Sequence, residues 1–274
     1  MSDAITKVKP VPSPPPSPPR TGGSNFAALK NVSGFRELVA RVADRAPSLP
    51  NIGVMHGRSG DGKTYASIYA QNKTRAIRVE VGDTWTRKTL LTAILREGGI
   101  ARPQGSIPEL AEQAIAMLAE EPKRPLFIDE ADKVVDKGYA ELIREVAMSS
   151  NVPVLLIGEE ALPQKLARIE RLHNRVLAWF GAEPCDLEDA RKLADLLLPA
   201  AISDDLLEEI RIQGDGRARR IATSLDGVAQ WARNAGAKEV TRATYTGPIY
   251  TGEPPKARAS RLIVARSAKS GRAA

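Results

Sequence analysis

The chain has 274 residues and a formal net charge of +7, with 42% hydrophobic residues but only 4% aromatic ones. That length allows one large domain or two small ones, and the aliphatic composition favours helices packed on a parallel sheet over an antiparallel sandwich. The single cysteine, Cys185, excludes an internal disulfide framework, and no Cys/His spacing suits zinc. No stretch resembles a signal peptide or a membrane span, so the expectation is a cytoplasmic protein without membrane contact. Lys256, Arg258, Arg261, Arg266, Lys269 and Arg272, with no acid among them, account for most of the positive surplus. A basic tail is therefore indicated rather than a generally basic surface.

In chain order, residues 1–30 form a Pro-rich arm, in which seven prolines between Pro10 and Pro19 forbid a helix and favour an extended, disordered segment. Helical spacing of Val32, Phe35, Leu38, Val39 and Val42 predicts a helix over Asn31–Ala46. Residues 51–56 read as a buried strand, 63–71 as a helix, 76–81 as an alternating strand and 86–97 as a helix. A helix over 107–119, a buried strand over 125–128, a helix over 139–148, a strand over 152–157 and a strand over 176–180 follow. Strands alternating with helices at this spacing imply parallel pairing through right-handed crossovers. Beyond Asp186 only helices are expected, over 187–198, 204–212 and 217–235. The domains predicted are an α/β nucleotide-binding domain over 31–185, a helical lid over 186–238 and a basic, disordered tail over 239–274.

Between the first strand and its helix stands Gly57-Arg58-Ser59-Gly60-Asp61-Gly62-Lys63-Thr64, the Gly-x-x-x-x-Gly-Lys-Thr pattern of a phosphate-binding loop. Its glycines allow backbone N–H groups to turn inward, and the helix that follows adds its positive dipole end. Lys63 supplies a charge for the β and γ phosphates of ATP, and the Thr64 hydroxyl a ligand for Mg²⁺. Asp129 closes a buried strand and suits the same metal. Glu130, the next residue, is placed to orient and deprotonate an attacking water, which points to hydrolysis.

Leu126-Phe127-Ile128-Asp129-Glu130-Ala131-Asp132-Lys133, with the helical region after Asp186, resembles AAA+ ATPases. The three-layer P-loop AAA+ sandwich with a parallel five-stranded sheet, followed by a small helical lid, is the fold this implies. Residues 51–230 are similar to the phage Mu transposition protein B group, on Asn51-Ile52-Gly53-Val54, Asp129-Glu130-Ala131-Asp132, Leu156-Ile157-Gly158 and Leu172-His173-Asn174-Arg175-Val176. The resemblance implies a homo-oligomer, filament or ring, in which Arg175 acts as the arginine finger on a neighbour's nucleotide, with Arg171 and Arg168 as alternatives. It also implies a second arginine acting in cis at Arg219, or Arg217. Where relatives carry a neutral γ-phosphate sensor after the fourth strand, this sequence has Glu159 and Glu160.

The same resemblance implies double-stranded DNA and a transposase as partners, with the ATPase assembling on target DNA independently of base sequence. Thr84, Arg87 and Lys88 in the loop after the second strand are candidate phosphate contacts, and an ordinary helix start capped by Thr84 or Thr86 is the alternative. Two other readings compete. A helicase loader or replication initiator would call for a winged-helix domain after the lid, for which the stretch beyond Gly236 is short. A nucleotide-dependent switch with little hydrolysis would explain Glu159.

Overall fold

The computed structural model describes residues 27–253. The Pro-rich arm up to residue 26 and the basic tail from residue 254 lie outside the described residues. At the centre, strands β1 (Ile52–His56), β2 (Ile77–Glu80), β3 (Leu126–Asp129), β4 (Val154–Gly158) and β5 (Val176–Gly181) form one parallel sheet in the order β2-β3-β4-β1-β5. Central strands β3 and β4 are buried along their whole length, which is why they read as unbroken apolar runs. On the edge strand β2, Ile77 and Val79 are buried while Arg78 and Glu80 occupy the other face.

Helices cover both faces. On one side α1 (Lys30–Ala43) and α2 (Lys63–Thr74) share a core with Phe127, Leu155 and Met55. The Phe35 ring meets that of Phe127 edge-on at 5.3 Å. On the other side α3 (Arg87–Glu97), α4 (Ile107–Ala119), α5 (Ala131–Asp136), α6 (Ala140–Ser150), α7 (Leu162–Ala167) and α8 (Glu170–His173) pack with Val54, Ile128 and Leu156. Alternate residues of β1, β3 and β4 thus serve different cores. The short helices α5, α7 and α8 are not expected from periodicity, since four to six residues give too few turns for a pattern.

After β5 the chain forms α9 (Leu187–Leu197), α10 (Asp204–Gln213) and α11 (Ala218–Ala235). The all-helical expectation needs correction. Strands β6 (Ala201–Ile202) and β7 (Glu239–Val240) pair in parallel, a two-residue ladder too short to show alternation. The stretch from residue 239, expected as part of a disordered tail, is packed in its described part, because Val240 and Tyr245 are buried and the Tyr245 ring packs on Trp231 of α11 at 5.7 Å.

Asn31 ties the two regions to the loop between β1 and α2. Its side-chain amide donates to the carbonyls of Asp61 (2.9 Å) and Glu183 (2.7 Å), and its oxygen accepts from Glu183 N–H at 3.0 Å. With Asn31 only 3% exposed, these groups have no access to water if the amide is removed. Asn31→Ala is expected to cost about 2–3 kcal/mol in denaturant unfolding. Asn31→Asp should cost more, because a carboxylate would face two carbonyl oxygens.

Candidate nucleotide site

Residues 57–62 leave the carboxyl end of β1 and return as the start of α2. Gly60 and Gly62 sit at φ of +93° and +87°, a region that L side chains rarely adopt, so the loop's tight turns need glycine there. Asp61 is 1% exposed and braces the loop from within, its Oδ2 accepting the Arg58 N–H at 3.0 Å. The Lys63 ammonium folds back over the loop and donates to the carbonyls of Gly57 (2.7 Å) and Arg58 (2.9 Å). Burial lowers the Lys63 pKa from its ordinary value, against the pull of the Asp61, Glu159, Asp129 and Glu130 carboxylates.

A cavity of about 320 Å³ opens above this loop, and Gly60, Gly62, Lys63, Thr64, Asp129, Glu130 and Glu159 form its polar wall. Leu29, Tyr65, Leu193, Leu196, Leu197 and Ala222 line the apolar remainder. Tyr65 is further held by the Ala27 N–H, which donates to its hydroxyl at 2.5 Å. A slot with one charged and one greasy end suits a nucleotide, whose phosphates and base have those characters.

Asp129 lies at the end of β3 and is 2% exposed. Its Oδ1 accepts the Glu130 N–H at 3.0 Å, and its Oδ2 accepts from Arg78 at 2.6 Å. Glu130 adopts φ of +59°, a left-handed conformation for a side-chain-bearing residue, and its carboxylate lies 3.7 Å from the Lys133 ammonium. Lys133 in turn reaches Asp83 at 3.3 Å. Strain of this kind persists only where surrounding structure enforces it, and Glu130 stands among the residues that line the cavity.

The hydroxyl of Thr64 and the carboxylate of Asp129 are hard oxygen donors on one wall, a set that fits Mg²⁺. Among the described residues no three His, Cys, Asp or Glu side chains gather as a metal cage. Mg²⁺ needs none, since one or two protein oxygens commonly suffice when substrate phosphates and water complete its shell.

The arginines divide. Arg219 lines the cavity, and its backbone N–H donates to the Gly60 carbonyl at 3.1 Å. Arg217 donates to the Ser59 carbonyl at 3.2 Å, and Arg58 reaches across to Asp215 at 3.0 Å. The start of α11 is thereby bound directly to the phosphate loop. Arg175 does not enter the cavity. It borders a separate surface hollow with Arg144, Arg171 and Asn174, and Arg168 is exposed nearby in sequence.

Thr84, Arg87 and Lys88 are exposed. Thr86 caps α3 by accepting the Thr89 N–H at 3.1 Å, the ordinary role for threonine there. Arg87 lies over the Tyr139 ring at 5.4 Å and donates to the Gly138 carbonyl at 3.1 Å, so its guanidinium is already engaged.

Residues 45–166 match the family model of the AAA domain. The fold is that of a P-loop AAA+ protein, and solved structures agree. The Aeropyrum pernix ORC2 protein, in ADPNP and ADP complexes, superposes with a TM-score of 0.61 at 15% identity, over 77% of this chain and 64% of that one. Aeropyrum pernix ORC1, solved in complex with DNA, gives 0.55 at 18% identity, over 78% and 62%. The Thermotoga maritima RuvB Holliday junction branch migration motor gives 0.53 at 17% identity, over 78% and 66%. The chain thus spans less than two thirds of the length of the two ORC proteins, and at these identities the likeness establishes the fold alone. No curated protein matches the sequence significantly.

Sequence reasoning missed three residues that organise the site. Asp132 is 5% exposed, and its Oδ2 accepts the Glu159 N–H at 2.5 Å, tying the end of β4 to the start of α5. Asn31 and Arg78 are the others. The Asp132 position stood within the quoted motif, whereas nothing local marks Asn31 or Arg78.

Burial raises the Asp61 pKa above the ordinary carboxylate value, despite opposing charge from Arg58, Lys63 and Arg217. The folded protein holds that proton more tightly than the unfolded chain. Stability from this group therefore falls as pH rises from the ordinary value of 3.8 through the higher folded value, and stays lost at neutral pH. Asp61→Asn is expected to raise the midpoint of urea unfolding at pH 7.5 and to raise it less at pH 4.5.

Proposed function

We propose that this protein is an ATP-dependent, sequence-nonspecific DNA-binding ATPase that oligomerises on target DNA and recruits or activates a transposase. The observation that carries the ATPase part is the cavity in which Lys63, Thr64, Asp129 and Glu130 share one wall above the phosphate loop. In this reading the inward N–H groups of residues 57–64 and the Lys63 ammonium hold the β and γ phosphates. Thr64 and Asp129 hold Mg²⁺, which when bound would neutralise charge on the phosphate oxygens. Glu130 accepts the proton of the attacking water. The apolar wall of Leu29, Leu193, Leu196 and Leu197 takes the base, so residues on both sides of β5 read the nucleotide.

Arg219 is the arginine acting in cis. Arg175 acts in trans, a reading supported by its position on a surface hollow away from its own cavity. With Arg171 and Arg144 beside it, that hollow offers a neighbour's γ phosphate a cluster of cations. Nucleotide occupancy then governs assembly, because each bound ATP completes an interface. The contacts to DNA are phosphate contacts. Thr84 and Lys88 are the exposed members of the candidate loop that lead in this role, Arg87 would have to leave its contacts with Tyr139 and Gly138 to join them, and the basic tail adds charge. The transposition role rests on the resemblance of residues 51–230 to the Mu protein B group.

The fold likeness to the ORC proteins supports a second reading, a replication initiator or helicase loader, which shares every step at the nucleotide. Glu159 supports a third. A carboxylate on the cavity wall repels the γ phosphate, and a slow enzyme or switch would follow.

Electron microscopy of the protein with ATP and random-sequence duplex DNA is expected to show filaments or rings. A monomer under every nucleotide condition would overturn the assembly reading. Glu130→Gln should keep ATP-dependent assembly and lose turnover by about 10²–10⁴-fold in a steady-state phosphate-release assay. Lys63→Ala and Arg175→Ala should each be inactive alone. Their equimolar mixture should recover part of the activity, since the Lys63→Ala subunit offers an intact Arg175 to the intact pocket of its neighbour. No recovery would place Arg175 outside the reaction.

A further inference from the structure

Strand β2 is an edge strand with one apolar and one charged face. Ile77 and Val79 enter the core shared with α3 and α4, while Arg78 and Glu80 point to the side covered by α2. The parallel register sets Glu80 beside Asp129 and Arg78 beside Phe127, so Arg78, Glu80 and Asp129 lie on one face of the sheet. The Arg78 side chain is 13% exposed and that of Asp129 3%. Arg78 Nη2 lies 2.6 Å from Asp129 Oδ2 and 3.1 Å from Glu80 Oε2, and Nε donates to Ser67 Oγ at 2.9 Å. Ser67 Oγ then donates to the Thr64 carbonyl at 2.9 Å. One guanidinium therefore touches the carboxylate assigned to the metal and, through Ser67, the backbone of the threonine assigned to it.

A buried carboxylate needs a counter-charge, and here the protein supplies it internally. A divalent cation at Asp129 would meet a carboxylate already neutralised. The same guanidinium has a second acid in reach, and Glu80 is 58% exposed, so shifting toward it costs little desolvation. We propose that Arg78 is the resident counter-ion of Asp129, holding the carboxylate until a divalent cation arrives with nucleotide, then passing to Glu80 and so setting the metal concentration at which the site fills. The inference rests on the nucleotide-site reading above. Arg78 is a positioning residue in it and touches no substrate atom.

The test is a Mg²⁺ titration of the full chain with the imido analogue of ATP, followed by thermal melting and by displacement of a fluorescent N-methylanthraniloyl nucleotide. Neither readout depends on turnover. Arg78→Met is expected to lower the Mg²⁺ concentration for half-saturation by about tenfold, because a full charge beside the metal ligand is gone. Its melting temperature should also rise more on metal addition than that of the wild type. Arg78→Lys should restore behaviour near wild type, since an ammonium still neutralises Asp129. Should Arg78→Met not fold, Glu80→Gln carries the same test from an exposed position. Removing the alternative acceptor strengthens the hold on Asp129 and should raise the half-saturating Mg²⁺ several-fold. Unchanged half-saturation in either variant overturns the proposal and leaves Arg78 a brace, and so does a higher Mg²⁺ requirement in Arg78→Met. A wild type whose nucleotide binding ignores Mg²⁺ altogether would instead refute the underlying site assignment.

Discussion

Strand β1 is paired on both sides, with β4 and with β5, and Ile52 to Met55 are completely or almost completely withdrawn from water. Its backbone groups are committed along the whole strand, so the chain leaving His56 must rise from the carboxyl edge of the sheet. There it turns at once into α2, whose first residue is Lys63. The parallel sense of all five strands brings the ends of β3 and β4 to the same edge. The loop, the Asp129–Glu130 pair and Glu159 then meet because their strands are neighbours, although they are far apart in sequence. Crevices at the carboxyl edge of a parallel sheet are where such folds bind ligands.

The charges at that edge are held by more than the sheet. Asp61 braces the loop from inside, Asp132 holds the backbone of Glu159, and Arg78 holds Asp129. Asp61, Asp129 and Asp132 are buried and each has a specific partner, and a buried carboxylate left unpaired would be costly. Such a frame keeps the cavity's polar wall in place without ligand, so that binding does not have to order it. It also loads the site with negative charge that a nucleotide's own phosphates would oppose, which makes the cations Lys63, Arg78 and Arg219 as consequential as the acids.

The region after β5 is joined to the loop by contacts of another kind. Arg219 N–H to the Gly60 carbonyl, Arg217 to the Ser59 carbonyl, and the Arg58–Asp215 ion pair all cross from α11 and its preceding turn to the phosphate loop. These are largely solvent-exposed contacts, individually weak, and they lie where phosphates would compete for the same arginines.

The sequence by itself determined the fold class, because apolar runs at β1, β3 and β4 and amphipathic helices between them admit parallel pairing and little else. It also marked the candidate phosphate loop, since the Gly60, Gly62, Lys63 and Thr64 pattern is local and joins one strand to a single helix start. The helix boundaries of α4 and α9 were legible for the same reason, as periodicity and caps are short-range signals. What only the tertiary structure decided were the partnerships across the sheet and between regions: Arg78 with Asp129, Asp132 with Glu159, Asn31 with residues 61 and 183, and Arg175 with Arg144 on a surface remote from its own cavity. The register of β2 on β3 and of β3 on β4, with the packing of α1 and α8 on their neighbours, creates these pairs, and no window of neighbouring residues contains both members of any of them. The two-residue ladder of β6 with β7 belongs with them, being too short to write a pattern and held by what surrounds it.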